Sequence, residues 1–449
     1  MPDPAPVNAD DVMPRKGPFR LPRTFSSLRH RNYRLLWIGS VISQSGDWMD
    51  QIAFNWLIYD MTGSTVALAM VNLCRAGPMI LFTLVGGVAA DRIERRRLMF
   101  TTQTIAMILA LVLAGLLSAG LLTVWMAFTI ATLRGITNSF NQPARQSLIS
   151  ELVPSHDLPN AVALNSATMN LTKIIGPTIG GVLIAFVSVS GAFYLNGISF
   201  IAVLWCLQIM DIPARTKFRS KEGIFGDLVA GMSYLRRTVT LRTLVILGLV
   251  PLVLGQPYQT MLTVFAKDVF HDGGLGLGLM QSAAGLGAVC GAIYIASSRN
   301  STRFVLRMMV GIVAFGACLL AFAASPVLPI AIIALLGVGF SMQTYNTSNN
   351  TMLQMNVDPE YRGRVLSTLF IQRGLVPLGT VVAGIAMSFV GPRVTMGIMA
   401  SGVILLGVLS GPYVLKVLSS IDGGPIFAKS EDAAADSRAE GRRAAEATR

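Results

Sequence analysis

The sequence predicts an all-α membrane protein of twelve transmembrane helices in two pseudo-symmetric six-helix halves, and three observations carry that prediction. The chain is 53% hydrophobic and only 13% charged over 449 residues, with a mean hydropathy of +0.59, which is too little polar surface to clothe a soluble globule. Apolar stretches long enough to cross a bilayer, about 20 residues each, recur about twelve times. The later stretches also repeat the earlier ones. Leu133 to Pro154 realigns with Leu336 to Pro359 at a shift of about 205 residues, setting Asn138 beside Gln343 and Asn141 beside Asn346; at about 200 residues, Lys173 and Pro177 fall on Arg373 and Pro377.

Taken in order, residues 1–30 are a cytoplasmic tail whose first part, Met1 to Gly17, has no apolar core and is expected to be neither a signal peptide nor a span. The first half, 31–210, holds spans expected at 34–59, 65–90, 98–119, 123–142, 159–187 and 190–210. A basic cytoplasmic linker, 211–240, leads to the second half, 241–419, with spans at 241–265, 275–297, 304–323, 327–350, 364–390 and 394–418. Those near 159 and 364 are expected to begin before they enter lipid. Residues 420–449, a mixture of Ala, Glu and Arg, form a second cytoplasmic tail with no assigned role.

Alternate connections differ in charge. Arg20 to Arg34, Arg92 to Arg97, Arg215 to Arg242, Arg299 to Arg307 and Arg362 to Arg364 are basic, whereas Asp60 to Thr65, Ser118 to Thr123, Val187 to Gly191 and Ser325 to Pro329 are nearly free of Lys and Arg. Basic short loops stay on the cytoplasmic side, so both termini are expected there. These loops account for most of the net charge of +13, which reports topology and contact with lipid headgroups rather than nucleic acid.

Several function classes drop out. The chain lacks a GxxxxGK[ST] phosphate loop and an HExxH motif, so neither an ATP-driven pump nor a membrane enzyme is expected, and no catalytic residue or cofactor is assigned. Cys74, Cys206, Cys290 and Cys318 are scattered and read as small hydrophobes, and His30, His156 and His271 suggest no metal site.

Charges inside spans are the functional clues, because each costs at least about 2.5 kcal/mol at the bilayer centre unless it is paired or wet. Asp47 and Asp50 in the first span, Arg75 in the second, Arg134 in the fourth, Lys173 in the fifth and Arg373 in the eleventh are expected to face a central cavity. Ser43, Asp47, Asp50, Gln51 and Asn55 recur at helical spacing as one polar stripe. A carboxylate raised by burial and lowered by a nearby guanidinium is able to titrate in the working range, so Asp47 is the leading proton carrier, Asp50 the second, and Arg75 or Arg134 the partner. A permanent Asp–Arg pair that only pins helices is the other reading. Gln51, Asn55, Lys173 and Arg373 are assigned to the substrate cavity. Two acids against four bases there favour an anionic or weakly acidic molecule, or a neutral polar one with catechol or carboxyl groups, over lipophilic cations.

The hairpin Gly87-Val88-Ala89-Ala90-Asp91-Arg92-Ile93-Glu94-Arg95-Arg96-Arg97 resembles the loop between helices 2 and 3 of major facilitator superfamily transporters, although Glu94 stands where that superfamily usually has Gly. Gly46-Asp47-Trp48, Asp91-Arg92-Ile93-Glu94-Arg95 and Pro143-Ala144-Arg145-Gln146 followed by Asn160-Ala161 are similar to the branch that holds the enterobactin exporter and macrolide efflux proteins. Gly176-Pro177-Thr178-Ile179-Gly180-Gly181 resembles the core of an antiporter signature, with Thr172 where the full signature has another Gly. Proline bends such a helix and paired glycines let a neighbouring backbone approach, though a simple packing kink would show the same residues.

The resemblance implies a monomeric bacterial inner-membrane exporter of a siderophore-like, macrolide-like or other drug-like small molecule, working by alternating access in exchange for protons. A proton-independent facilitator or lysolipid translocator is the alternative. It also implies a role for Arg134 in proton transfer, with hydrogen bonding to backbone carbonyls as the plainer reading. Gly87, Asp91, Arg92, Arg95 and Arg96 are expected to form a conformational gate, Asp91 meeting the N-terminal end of the eleventh helix near Gly363.

Overall fold

Apolar stretches separated by short polar turns oblige successive helices to run antiparallel. In the computed structural model all regular structure among the described residues is helical. The structure describes residues 23–154, 156–210, 233, 238–297, 304–357 and 375–422. A short turn (Arg23–Arg29) precedes α1 (Arg31–Thr62), α2 (Thr65–Arg92), α3 (Arg95–Ser118), α4 (Val124–Leu152), α5 (Leu158–Phe186) and α6 (Val189–Gln208). Then follow α7 (Val239–Val269), α8 (Gly273–Ser297), α9 (Phe304–Ala324), α10 (Leu328–Met355), α11 (Val376–Val390) and α12 (Pro392–Asp422).

Among the described residues nine helices are long and apolar enough to cross a membrane. The other three, α1, α4 and α11, differ for physical reasons. α1 and α4 carry the buried charged residues of the first half, Asp50 and Arg145, among other buried polar ones, and α11 is described only from Val376, the first part of the expected 364–390 span lying outside the described residues. The expected span at 241–265 extends to Val269 as a broken helix, because Pro251 lacks the N–H of a regular turn and widened turns occupy Pro251–Gly255 and Phe265–Val269. Polar side chains set helix starts: Ser64, Thr123 and Ser188 each accept a backbone N–H three residues on.

The pairings repeat when six is added to each helix number. α2 packs on α4 as α8 packs on α10, α3 on α6 as α9 on α12, and α5 on α8 as α11 on α2. The last pair joins the halves, at the face that carries the turns after α1, α5, α7 and α11. There a Cβ on Gly181 of α5 would stand 2.6 Å from the Gly278 Cα of α8, so the two backbones touch. Thr178 and Ser282 hydroxyls lie 2.7 Å apart beside that crossing. The Thr65 hydroxyl donates to the Gly384 carbonyl at 2.6 Å, tying α2 to α11. Between α1 and α7, Tyr59 donates to Asp268, and Lys267 meets Asp60 at 2.5 Å.

The buried apolar residues of the first half divide into two layers. One, with Tyr33, Leu36, Met99, Leu148 and Leu207, lies toward the basic loops; the other, with Phe54, Ile58, Leu113, Ala131 and Phe193, lies toward the opposite face. The second half has one continuous apolar cluster, which Ile52, Tyr59, Leu68 and Ala69 of the first half join. The space between the two layers of the first half is polar.

Candidate functional site

Midway along α1, the predicted stripe faces inward. Gln44, Asp47, Asp50 and Gln51 line a cavity of about 200 Å³ closed by Arg75 of α2, Thr102 and Gln103 of α3, Arg134, Asn138, Asn141 and Arg145 of α4, and Asn196 of α6. The α4 contributors recur at spacings of four, three and four residues, which puts them on one face of that helix. The cavity lies between the two apolar layers of the first half.

Asp50 bonds to Arg134. Their side chains are 2% and 9% exposed, and the guanidinium also lies 5.8 Å from the Phe54 ring centroid. Each partner keeps one buried atom unbonded, Asp50 Oδ1 and Arg134 Nη2. Asp47, by contrast, is half-buried and makes no ion pair among the described residues; Arg145, then Arg75 and Arg134, attract its carboxylate across the cavity. Gln44 Nε2, Gln103 Oε1 and Arg145 Nε are buried without a hydrogen-bond partner, whereas Asn141 donates to Thr102 at 2.9 Å. Orphaned buried polar atoms are costly, and those that face this cavity suit a polar guest or water.

Asp47, Asp50, Gln51, Arg75 and Arg134, singled out from the sequence, therefore meet in one place. Asn55 lies a turn further on, buried and accepting from Asn72 at 3.0 Å rather than lining the cavity. Lys173 also stands off it, with Nζ 5.7 Å from the ring centroid of Trp48, itself a lining residue. Arg373 lies outside the described residues, as do Gly363 and the side chain of Asp91. Of the hairpin, Arg92 is exposed, Arg95 bonds to Glu151 at the end of α4, and Arg96 donates to the Gln208 carbonyl at 2.8 Å. Gly87 has open space where a side chain would go.

Arg145, Gln44 and Gln103 escape a reading based on isolated charges, since each needs the helix partners to reveal its depth. The signal for Arg145 is its position eleven residues after Arg134, three turns along the same face. A second site also goes unseen in the sequence: His30 and Ser26 both bond Asp157 at 2.8 Å, with His156 at 3.5 Å, and Ser27 donates to Asn160, fastening the N-terminal turn to the start of α5. The hydrogen bonds from His30 and Ser26 hold the Asp157 carboxyl below its ordinary range. Among the described residues, no group of three or more His, Cys, Asp or Glu is placed to hold a metal ion.

Comparison with known proteins agrees with this architecture. The chain is 27% identical to the staphyloferrin A transporter of Staphylococcus aureus (strain NCTC 8325 / PS 47) over 80% of its own length and 91% of that protein's. It is 22% identical to macrolide efflux protein A of Streptococcus pyogenes, over 81% and 92% of the two chains. The crystal structure of the nucleoside transporter NupG superposes with a TM-score of 0.68 at 14% identity, covering 86% of this chain and 99% of that one, and so shares the fold. The family model described as transmembrane secretion effector matches residues 23–428, and the chain belongs to that family of major facilitator transporters.

Proposed function

We propose that this transporter exports a small molecule from the bacterial cytoplasm by alternating access, in exchange for protons that Asp47 carries. The observation that carries the reading is the unequal fate of the two cavity carboxylates. Asp50 is fixed by Arg134, while Asp47 faces the cavity with no ion-pair partner among the described residues. A carboxylate locked to a guanidinium is a poor proton carrier, and one held loosely between several cations is able to gain and lose a proton as the cavity opens to either side. The halves, taken as 31–210 and 241–419, would rock about their contact, with both termini in the cytoplasm and the basic loops on that side. Contacts joining the halves at the other face then correspond to a state closed toward the outside. In this scheme the 87–96 hairpin holds the cytoplasmic side shut in the opposite state, and the chain works as a monomer. The curated relatives, one carrying a siderophore by name and one exporting macrolides by name, support export of a drug-sized or siderophore-sized compound.

The test is a substrate screen in inside-out vesicles with an imposed pH gradient. Dissipation of the gradient by a transported compound, lost in Asp47→Asn and retained in part by Asp47→Glu, is the expected result. Substrate movement without proton flux, unchanged in Asp47→Asn, would make the protein a facilitator or lysolipid translocator.

A further inference from the structure

Two cavity cations, Arg75 and Arg145, stand outside the Asp50–Arg134 pair, and Arg145 is the more deeply buried. It stands on α4 only 5% exposed, its Nε has no hydrogen-bond partner, and among the described residues it forms no ion pair. Five charges line the cavity: Asp47 and Asp50 against Arg75, Arg134 and Arg145. With both carboxylates ionised, one positive charge stays uncompensated. A buried lysine would relieve that imbalance by releasing its proton, but a guanidinium does not deprotonate in proteins. No further acid lines the cavity among the described residues, so an added anion restores neutrality without disturbing the Asp50–Arg134 pair. The planar fork of Arg matches a carboxylate with two parallel hydrogen bonds, and Gln44 Nε2, unpartnered in the same cavity, offers a further donor.

We propose that Arg145 binds a carboxylate of the transported molecule, which makes it a specificity-determining residue for anionic substrates. Calling that anion the cargo rests on the export reading; the anion site itself does not. The cavity volume of about 200 Å³ is below the ~300–1,000 Å³ of drug-sized pockets, so it takes a small acid or one carboxylate-bearing arm of a larger molecule. Lys173, stacked on Trp48 beside the cavity, lies outside this first contact.

The experiment uses the full chain in nanodiscs of neutral lipid, with radiolabelled citrate as the probe and its uncharged triamide as competitor. Saturable citrate binding that the triamide does not displace is expected. Arg145→Gln should weaken it by about tenfold or more, the loss expected for a hydrogen bond to a charged group, while Arg145→Lys keeps part of it. Asp47→Asn should strengthen citrate binding, since it removes a competing negative charge that Arg145 attracts. Equal citrate affinity in wild type, Arg145→Gln and Arg145→Lys overturns the proposal, as does absence of citrate binding in both wild type and Asp47→Asn. If Arg145→Gln does not fold, Arg145→Lys and Asp47→Asn carry the test, and wild-type affinity in both overturns it. Citrate binding that obeys these rules in a protein showing no flux in vesicles would leave the anion site standing and refute only the export reading.

Discussion

Replacing Gly181 by alanine tests whether the α5–α8 crossing sets the balance between transport states. The added Cβ would stand 2.6 Å from the Gly278 Cα and 2.8 Å from the Gly274 carbonyl oxygen, all of it backbone that cannot rotate away. Carbon atoms pack comfortably at about 3.5–4.0 Å, so the helices must separate by about 1 Å. Overpacking of this kind costs about 1–3 kcal/mol. That cost falls only on the state in which α5 and α8 touch, so the equilibrium between transport states should shift away from it by about 5- to 150-fold. Spin labels at Val187 and Asp272, in turns on the joined face, report the separation by pulsed electron resonance after the native cysteines are replaced. A longer-distance population should grow in Gly181→Ala. Gly115→Ala, where the new Cβ meets nothing within 4 Å, serves as the control. A Gly181→Ala distance distribution that matches the control would refute the reasoning, because it would mean that the crossing relaxes without cost.

Removing one partner of the Asp50–Arg134 pair strands a buried charge, so Asp50→Asn or Arg134→Gln should each destabilise the protein by about 3–5 kcal/mol in thermal melting, with much of the loss recovered in the double variant. Asp157 gives a pH-dependent prediction. Its carboxyl titrates below the ordinary range, so the stabilisation it lends the N-terminal turn is present above the unfolded carboxyl range of ~4 and is lost as pH falls through the folded value. A spin label at Phe25, which is exposed, should therefore be more mobile in Asp157→Asn than in wild type at neutral pH, and the two should converge in acid. The groups facing this carboxyl are His30, His156 and Ser26.

Most of the fold was legible because a bilayer punishes unpaired backbone and charge so heavily that apolar length reports the helices directly. Expected spans at 98–119, 190–210 and 275–297 agree with α3, α6 and α8 to within a few residues. The break in α7 was harder to read, since Pro251 and Pro257 sit in a stretch as apolar as any other. At the site, acids and bases within spans pointed to Asp47, Asp50, Arg75 and Arg134, yet the pairing did not follow from spacing. Which carboxylate Arg134 takes depends on how α4 is rotated against α1, and that rotation is set by packing. Asn55 shared the polar stripe but found its partner in Asn72. The shift of about 200 residues sets Lys173 against Arg373, which lies outside the described residues, and the cavity among the described residues lies inside the first half, where Arg75 and Arg145 stand outside the Asp50–Arg134 pair.

A cavity inside one half raises the question of how its occupancy could reach the contact between halves, and α5 supplies a mechanical link. Gly176 and Gly180 press on α1: a Cβ on Gly176 would lie 2.6 Å from the Ser45 carbonyl oxygen and 2.6 Å from Trp48 Cβ, and one on Gly180 would lie 3.2 Å from the Met49 carbonyl oxygen. Ser45 to Met49 is the same stretch of α1 that carries Asp47 and Trp48 into the cavity. Gly181, one residue on, presses on α8. Such close backbone contacts leave no soft side chains to absorb a displacement, so in the proposed cycle a shift of α1 would pass to α5 and from there to the α8 crossing. Pro177 lies between these contacts, where the missing hydrogen bond lets α5 bend. Under the proposed export cycle the glycines and the proline would then have separable tasks, rigid transmission through the former and compliance at the latter.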